Sequence, residues 1–170
     1  MHITFAPKGI LQINNARITY RNFAGVGDKF NREGDRNFAL IIEDGTIDKN
    51  PTVFSAEEMR DALRRDVNKY GASWNVKTKE YEDRDTFIYM PVKVKFTDRT
   101  TVYLRSNGNM RELDEESIDI LDKIDILNVD LDIRPYDDTI NGRPFRSAYL
   151  HSMCVTQDVD RFKAMYDEEY

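Results

Sequence analysis

The sequence predicts an α+β, mostly β domain of about seven strands and two or three short helices. Three observations carry this. Leu127, Val129, Leu131 and Ile133 alternate with polar side chains, the pattern of an antiparallel strand buried on one face. Asn141-Gly142 follows, a dipeptide suited to a two-residue hairpin because both positions accept positive φ. Helical periodicity is confined to short stretches that do not alternate regularly with strands, so hairpins rather than β-α-β units organise the chain. A small Greek-key barrel with additions accommodates this order, although the sequence alone does not enforce closure.

The elements can be justified in turn. Residues 10–23 (ILQINNARITYRNF) read as a strand with Ala16, Ile18 and Tyr20 inward and Arg17, Thr19, Arg21 and Phe23 outward. Residues 24–36 hold Gly25, Gly27 and Gly34 and form a loop, either ordered around Phe30 or mobile. Asn37–Glu43 is a short, nearly all-apolar run, as in a strand covered on both faces. Ser55 and Glu58 make a capping box that opens a helix over 55–70, with Met59, Leu63 and Val67 on one face and a stop at Gly71. Residues 73–79, 86–96 and 101–105 read as strands, and the lone Trp74 is expected in the core. Asp114 can cap a second short helix with Ile118, Leu121 and Ile124 along one side. Arg143–Thr156 is the return strand of the Asn-Gly hairpin, and a terminal helix over about 158–167 carries Val159, Phe162, Ala164 and Met165.

At 170 residues one domain, spanning 1–170, is expected, and a 40% hydrophobic content supports a real core. No apolar run approaches the roughly 20 residues of a bilayer span, and no leader opens the chain, so a soluble, cytoplasmic protein without a membrane partner is expected. The single cysteine, Cys154, excludes an internal disulfide framework, and two histidines argue against a histidine-rich zinc site. No phosphate-binding glycine-rich helix start and no nucleophile motif appears. His151 and Cys154 fall on opposite faces of their strand. Neither catalysis nor a cofactor is therefore expected.

The net charge of −6 argues at first sight against a nucleic-acid partner, but the charge is unevenly spread. Residues 1–40 carry six bases and three acids, whereas residues 111–138 carry eleven acids and three bases. Fields are local on the scale of the ~8–10 Å screening length, so a basic face remains available.

Strand parity locates such a face. Along residues 86–96, Ile88, Met90, Val92, Val94 and Phe96 point one way and Phe87, Tyr89, Lys93 and Lys95 the other. Val102 and Leu104 leave Tyr103 and Arg105 outward, and the first strand offers Arg17, Arg21 and Phe23. Bases mixed with aromatics on three strands suit single-stranded nucleic acid, whose phosphates attract cations and whose bases stack on rings. The competing reading is a solvated face with a few covered rings. The loop adds Lys29, Phe30, Arg32 and Arg36, which could clamp a strand; the alternative is an ordinary long hairpin with Phe30 tucked inward.

Residues 22–38 (NFAGVGDKFNREGDRNF), WNVK at 74–77, MPVK at 90–93, RELDEE at 111–116 and DLDIRPY at 130–136 resemble a group of small bacteriophage proteins that are single-stranded-DNA-binding-like. The similarity spans most of the chain. It implies an OB-like antiparallel barrel with an added hairpin and two to three helices. It also implies no catalysis and a role with phage single strands in replication or recombination. The capped helix over 55–70 departs from the usual relatives.

The candidate nucleic-acid contacts are thus Arg17, Arg21, Phe23, Lys29, Phe30, Arg32, Arg36, Phe87, Tyr89, Lys93, Lys95, Tyr103 and Arg105. The tail Asp167, Glu168, Glu169 and Tyr170 reads either as a solvated helix end or as an acidic tip that recruits replication or recombination proteins. The sequence sets no stoichiometry, and a homo-oligomer is compatible with it. Two other functions compete. Asp130 and Asp132, with Asp137, Asp138 and Glu112 nearby, could hold Mg²⁺ in a nuclease or resolvase. The acidic 111–138 surface could act as a DNA mimic or other protein-binding module.

Overall fold

The computed structural model describes residues 1–81, 86–159 and 162. Its strands are β1 His2–Phe5, β2 Leu11–Ala16, β3 Ile18–Asn22, β4 Arg36–Ile41, β5 Gly45–Ile47, β6 Asn50–Phe54, β7 Lys77–Glu80, β8 Thr86–Val94, β9 Thr101–Ser106, β10 Asn109–Leu113, β11 Ile126–Ile140 and β12 Arg143–Gln157. One α-helix, α1 Ala56–Arg65, and two 3-10 turns at Pro7–Gly9 and Ile118–Asp122 complete the described elements. The fold is mostly β.

The strands share one mixed sheet in the order β3-β4-β8-β12-β11-β2-β1-β5-β6, with β7 on β8 and β9 joining β10 to β12. The sequence suggests an antiparallel sheet, but β12 runs parallel to both β8 and β9, and β1 parallel to β5. Parallel pairs need long crossovers. The stretch from β8 to β12 supplies one, through β9, β10, the second 3-10 turn and β11.

Local chemistry explains several elements directly. Ser55 accepts the Glu58 amide at 3.2 Å and Glu58 accepts the Ser55 amide at 3.0 Å, so the capping box forms as read. Met59 and Leu63 are buried, but the helix ends at Asp66 rather than Gly71 and leaves Val67 exposed. Asp66 is drawn out of helical geometry where its carboxylate accepts the Trp74 indole at 2.8 Å. Trp74 is buried, as expected, but makes only an isolated bridge to Arg146, so the strand read over 73–79 begins at Lys77.

The second short helix is a 3-10 turn. Asp114 Oδ1 accepts the amides of Glu116 and Ser117 before it, and Ile118 and Leu121 are buried. The Asn141-Gly142 turn forms with φ of 51° and 77° and joins the two longest strands. Leu127 was expected inward and is exposed, because a register shift between Ile126 and Asn128 turns it out. The terminal helix read over 158–167 falls mostly outside the described residues, as does the acidic tip at 167–170.

The core is a cluster that includes Leu11, Ile13, Ala16, Leu40, Met90, Val92, Ile133 and Leu150. Residues 10–23 do not form one strand. Arg17 separates β2 from β3, and its carbonyl accepts the Ile41 amide at 3.0 Å. A register shift between Thr19 and Asn22, with Tyr20 at φ +49°, then exchanges the faces. Tyr20, read as inward, is 52% exposed; Phe23, read as outward, is 0% exposed and stacks on Phe38 at 5.3 Å.

Candidate nucleic-acid interface

β4 and β8 pair antiparallel with Asn37 opposite Lys93, Ala39 opposite Pro91 and Ile41 opposite Tyr89. Opposed residues share a face. The small Ala39 and the Pro91 ring therefore pave the floor of a groove, while Lys93 and Tyr89 stand on the same surface. The loop after β3 forms one wall, and Tyr149 from β12 borders the other. The groove encloses about 860 Å³ and is lined by Arg32, Arg36, Lys77, Lys93 and Lys95, against one acid, Asp35. Phe30, Tyr20, Tyr89 and Tyr149 bring the rings.

The wall is built by the loop's own polar groups. Asp28 Oδ1 accepts the amides of Phe30 at 2.7 Å and Asn31 at 2.8 Å. The Asn31 side chain donates to the carbonyls of Val26 and Asp35, both at 2.9 Å, and accepts from Asn37 at 2.9 Å. Gly34 donates to the Gly25 carbonyl at 2.8 Å. Gly25 has φ +70°, and a Cβ there would lie 3.1 Å from the Gly34 backbone, so this close approach needs glycine. At the loop's base the Asp122 carboxylate accepts the amides of Phe23 and Ala24 at 2.8 and 2.9 Å. The loop is ordered, but around Asp28 and Asn31 rather than around Phe30 as one reading expects. It presents Phe30 to solvent at 91% exposure rather than tucking it inward, with Lys29 Nζ 5.7 Å from the ring.

Among the described residues Arg32, Lys77, Lys93 and Lys95 make no ion pair, so their charge is available to a ligand. Arg36 is partly committed: it donates to the Glu115 carbonyl at 3.0 Å and lies over Phe96. Phe87 stacks on Tyr89 at 5.2 Å and 24°, just beyond the lining residues.

The remaining sequence candidates go elsewhere. Arg17 pairs with Glu43. Arg21 Nη1 donates to the carbonyls of Leu121 and Ile124, both at 2.7 Å, and so ties β3 to the second 3-10 turn. Phe23 is core. Tyr103 and Arg105 sit on β9 opposite Cys154 and Thr156 and do not line the groove. Conversely, sequence reading missed Tyr20, Lys77 and Tyr149. The last was accessible in principle, because it stands between buried Ala148 and Leu150. Its ring has Arg134 at 4.8 Å and Lys93 at 5.7 Å.

Tyr20 is bulky, not glycine or asparagine, and holds a left-handed φ; such strain costs about 1–3 kcal/mol and collects at functional sites. Its ring meets Phe87 edge-on at 6.0 Å and Tyr89 at 5.9 Å. A side-chain hydrogen bond with Tyr20, helped by desolvation, raises the Tyr81 phenol above its usual range.

None of the acids of residues 111–138 lines the groove. Several have structural duties: Asp130 Oδ1 accepts the Asn15 amide at 2.8 Å, and Asp122 and Asp114 hold turns. The Ser117 hydroxyl and amide hold the Asp114 carboxyl below its usual value. Among the described residues no group of three or more His, Cys, Asp or Glu is placed to hold a metal ion, and no helix is long and apolar enough to cross a membrane.

The structure is similar to that of the single-stranded DNA-binding protein from bacteriophage Enc34 in a C-terminally truncated form, with TM-score 0.53 and 15% identity over 92% of this chain and 90% of that one. The same phage protein in complex with ssDNA aligns with TM-score 0.49 and 15% identity over 93% and 92% of the two chains. At 15% identity the first of these likenesses speaks to the fold alone. A search of curated protein sequences finds no match. The sequence profile described as "Putative phage ssDNA-binding domain" matches residues 3–168. With nearly its whole length inside that profile, the chain belongs to the phage ssDNA-binding domain family.

Proposed function

We propose that the protein binds single-stranded DNA in the groove between the 24–35 loop and the β4–β8 surface, serving phage DNA replication or recombination in the host cytoplasm without catalysing a reaction. One observation carries the site: five basic side chains against a single acid, beside exposed rings, in a trough open along a strand. Arg32, Lys77, Lys93 and Lys95 contact phosphates, and Phe30 and Tyr89 stack bases. Binding tolerates any sequence because every base offers a π-face.

The finer architecture we read as an OB-type barrel over one domain, residues 1–170. β2 pairs with β11 and β3 with β4, yet only Arg17 separates β2 from β3, so the circuit β3-β4-β8-β12-β11-β2 returns to one bent segment. In OB folds the second and third strands and the loop after the first bind oligonucleotides, and the groove falls on their counterparts β4, β8 and the 24–35 loop. The acidic tip, Asp167 to Tyr170, lies outside the described residues; we assign it to recruiting replication or recombination proteins.

Fluorescence anisotropy with labelled oligo-dT at two salt concentrations tests the reading. Affinity that falls steeply with salt is expected; no binding at low salt, or binding indifferent to salt, overturns it.

A further inference from the structure

We infer that the β7–β8 hairpin carries a second DNA-contact station, one that takes the bases of a single strand as it leaves the groove past Tyr20. The inference rests on the groove reading above and extends the DNA track beyond it. In the antiparallel register Lys77 lies opposite Tyr89 and Lys79 opposite Phe87. These four side chains therefore share one face. Tyr20 reaches the same cluster from β3, in edge contact with both Phe87 and Tyr89. Tyr81 extends it, half exposed, with Lys79 Nζ 5.4 Å from its ring.

Three features mark this face as a ligand surface rather than a covered one. Tyr20 and Tyr81 are both substantially exposed, so the cluster spends ring area on solvent that a core would use. Among the described residues neither Lys77 nor Lys79 makes an ion pair, and the Lys79 ammonium rests over the Tyr81 ring instead. Tyr20, Lys77 and Tyr89 line the groove and the station at once, which makes the two surfaces continuous. Aromatic rings interleaved with free lysines, in line with a basic trough, fit an extended polyanion whose bases are splayed outward. An acidic peptide would use the lysines but leave the rings idle.

The station alone is tested with the double variant Lys79→Glu/Tyr81→Ala, since neither residue lines the groove and both are exposed. Lys93→Glu/Lys95→Glu reports on the groove, and Lys49→Glu, on the turn between β5 and β6 at the far end of the strand order, controls for charge. Each is titrated with labelled oligo-dT and with poly-dT for occluded site size, after checking that the thermal midpoint is unchanged. The expected result is an affinity for long oligo-dT lowered about tenfold and a site size shortened by about one to two nucleotides in the station variant. Lys49→Glu should match the wild type. A wild-type protein that binds no oligo-dT overturns the groove reading and this inference with it. Wild-type binding that Lys93→Glu/Lys95→Glu weakens, but that the station variant retains at full affinity and site size, overturns the second station alone.

Discussion

The Arg146 guanidinium lies 5.1 Å over the Trp74 ring while its Nε donates to Asp137 Oδ1 at 2.7 Å. Among the described residues Arg146 is the one buried charged side chain, 5% exposed, and its second carboxylate, Asp66, also accepts the Trp74 indole. One cation thus joins the end of α1, the segment before β7 and the β11–β12 hairpin. Removing it leaves the Asp66 and Asp137 carboxylates, each about a third exposed (34% and 31%), without their counter-charge. Arg146→Ala should destabilise the protein by about 2–3 kcal/mol, read from urea midpoints, because the lost bonds are charge-assisted while the part-exposed carboxylates left behind can take up water.

The same network has a pH signature. Burial pushes the Asp137 carboxyl up, but hydrogen bonds from Arg146 and Asn68 and the Arg146 charge outweigh it and hold Asp137 below its ordinary value of 3.8. A carboxyl depressed in the folded state adds stability that is present above the unfolded value and lost as pH falls through the folded one. The stability gap between wild type and Asp137→Asn should therefore hold steady from pH 7 down to about 5 and close as pH drops below about 4. Urea midpoints across that range check it; a gap unchanged at low pH contradicts the arrangement.

How much of this was legible depends on regularity. In residues 86–94 alternation is unbroken, and Ile88, Met90, Val92 and Val94 are buried as parity requires. In residues 18–23 one irregularity at Tyr20 exchanges the faces, so Phe23 and Tyr20 trade roles that no propensity foretells. Arg21 looked like a phosphate contact because its partners, the carbonyls of Leu121 and Ile124, come from a turn about a hundred residues away. The groove itself is a long-range product: the loop meets β8 only through the pairing of β4. Residue types were readable, but commitments to distant backbone were not.

That difference between free and committed cations predicts divergent salt behaviour. Lys93→Glu/Lys95→Glu replaces two uncommitted cations by anions and should lower the slope of log affinity against log salt by at least about 1.4, at about 0.7 per lost phosphate contact to a single strand. Arg21→Ala should leave that slope unchanged. Its cost is structural, about 2–3 kcal/mol for the two charge-assisted bonds it makes to carbonyls. Anisotropy across a salt series, paired with thermal midpoints, separates the two.

Tyr20 offers a trade between strain and binding. Glycine relieves its left-handed backbone, returning about 1–2 kcal/mol, and forfeits two edge-on ring contacts worth about 0.5–1.5 kcal/mol each. The hydrogen bond with Tyr81 and the chain entropy of glycine add to that loss, so Tyr20→Gly should lower the thermal midpoint modestly. DNA affinity should still fall, because an exposed ring lining the groove is gone. A variant that loses stability but keeps its affinity would assign Tyr20 to the fold instead.

Phe30 is the sharpest case, because nothing in the fold needs its ring. At 91% exposure its truncation exposes no core and opens no cavity, so Phe30→Ala should change stability by no more than about 0.5 kcal/mol. The loop that carries it stays fixed through Asp28 and Asn31, whose bonds run to main-chain groups rather than to the ring. If the ring stacks a base, ssDNA affinity should drop by about 1–3 kcal/mol with little change in salt slope, since no charge is lost. Phe30→Trp should restore it. Disrupting the mount instead, with Asn31→Ala, should weaken binding without touching any ring, because the loop then orders only on contact with DNA and that ordering subtracts from affinity. Parallel anisotropy titrations of the three variants decide the matter: equal affinity for wild type and Phe30→Ala would remove Phe30 from the interface and leave the loop a steric wall.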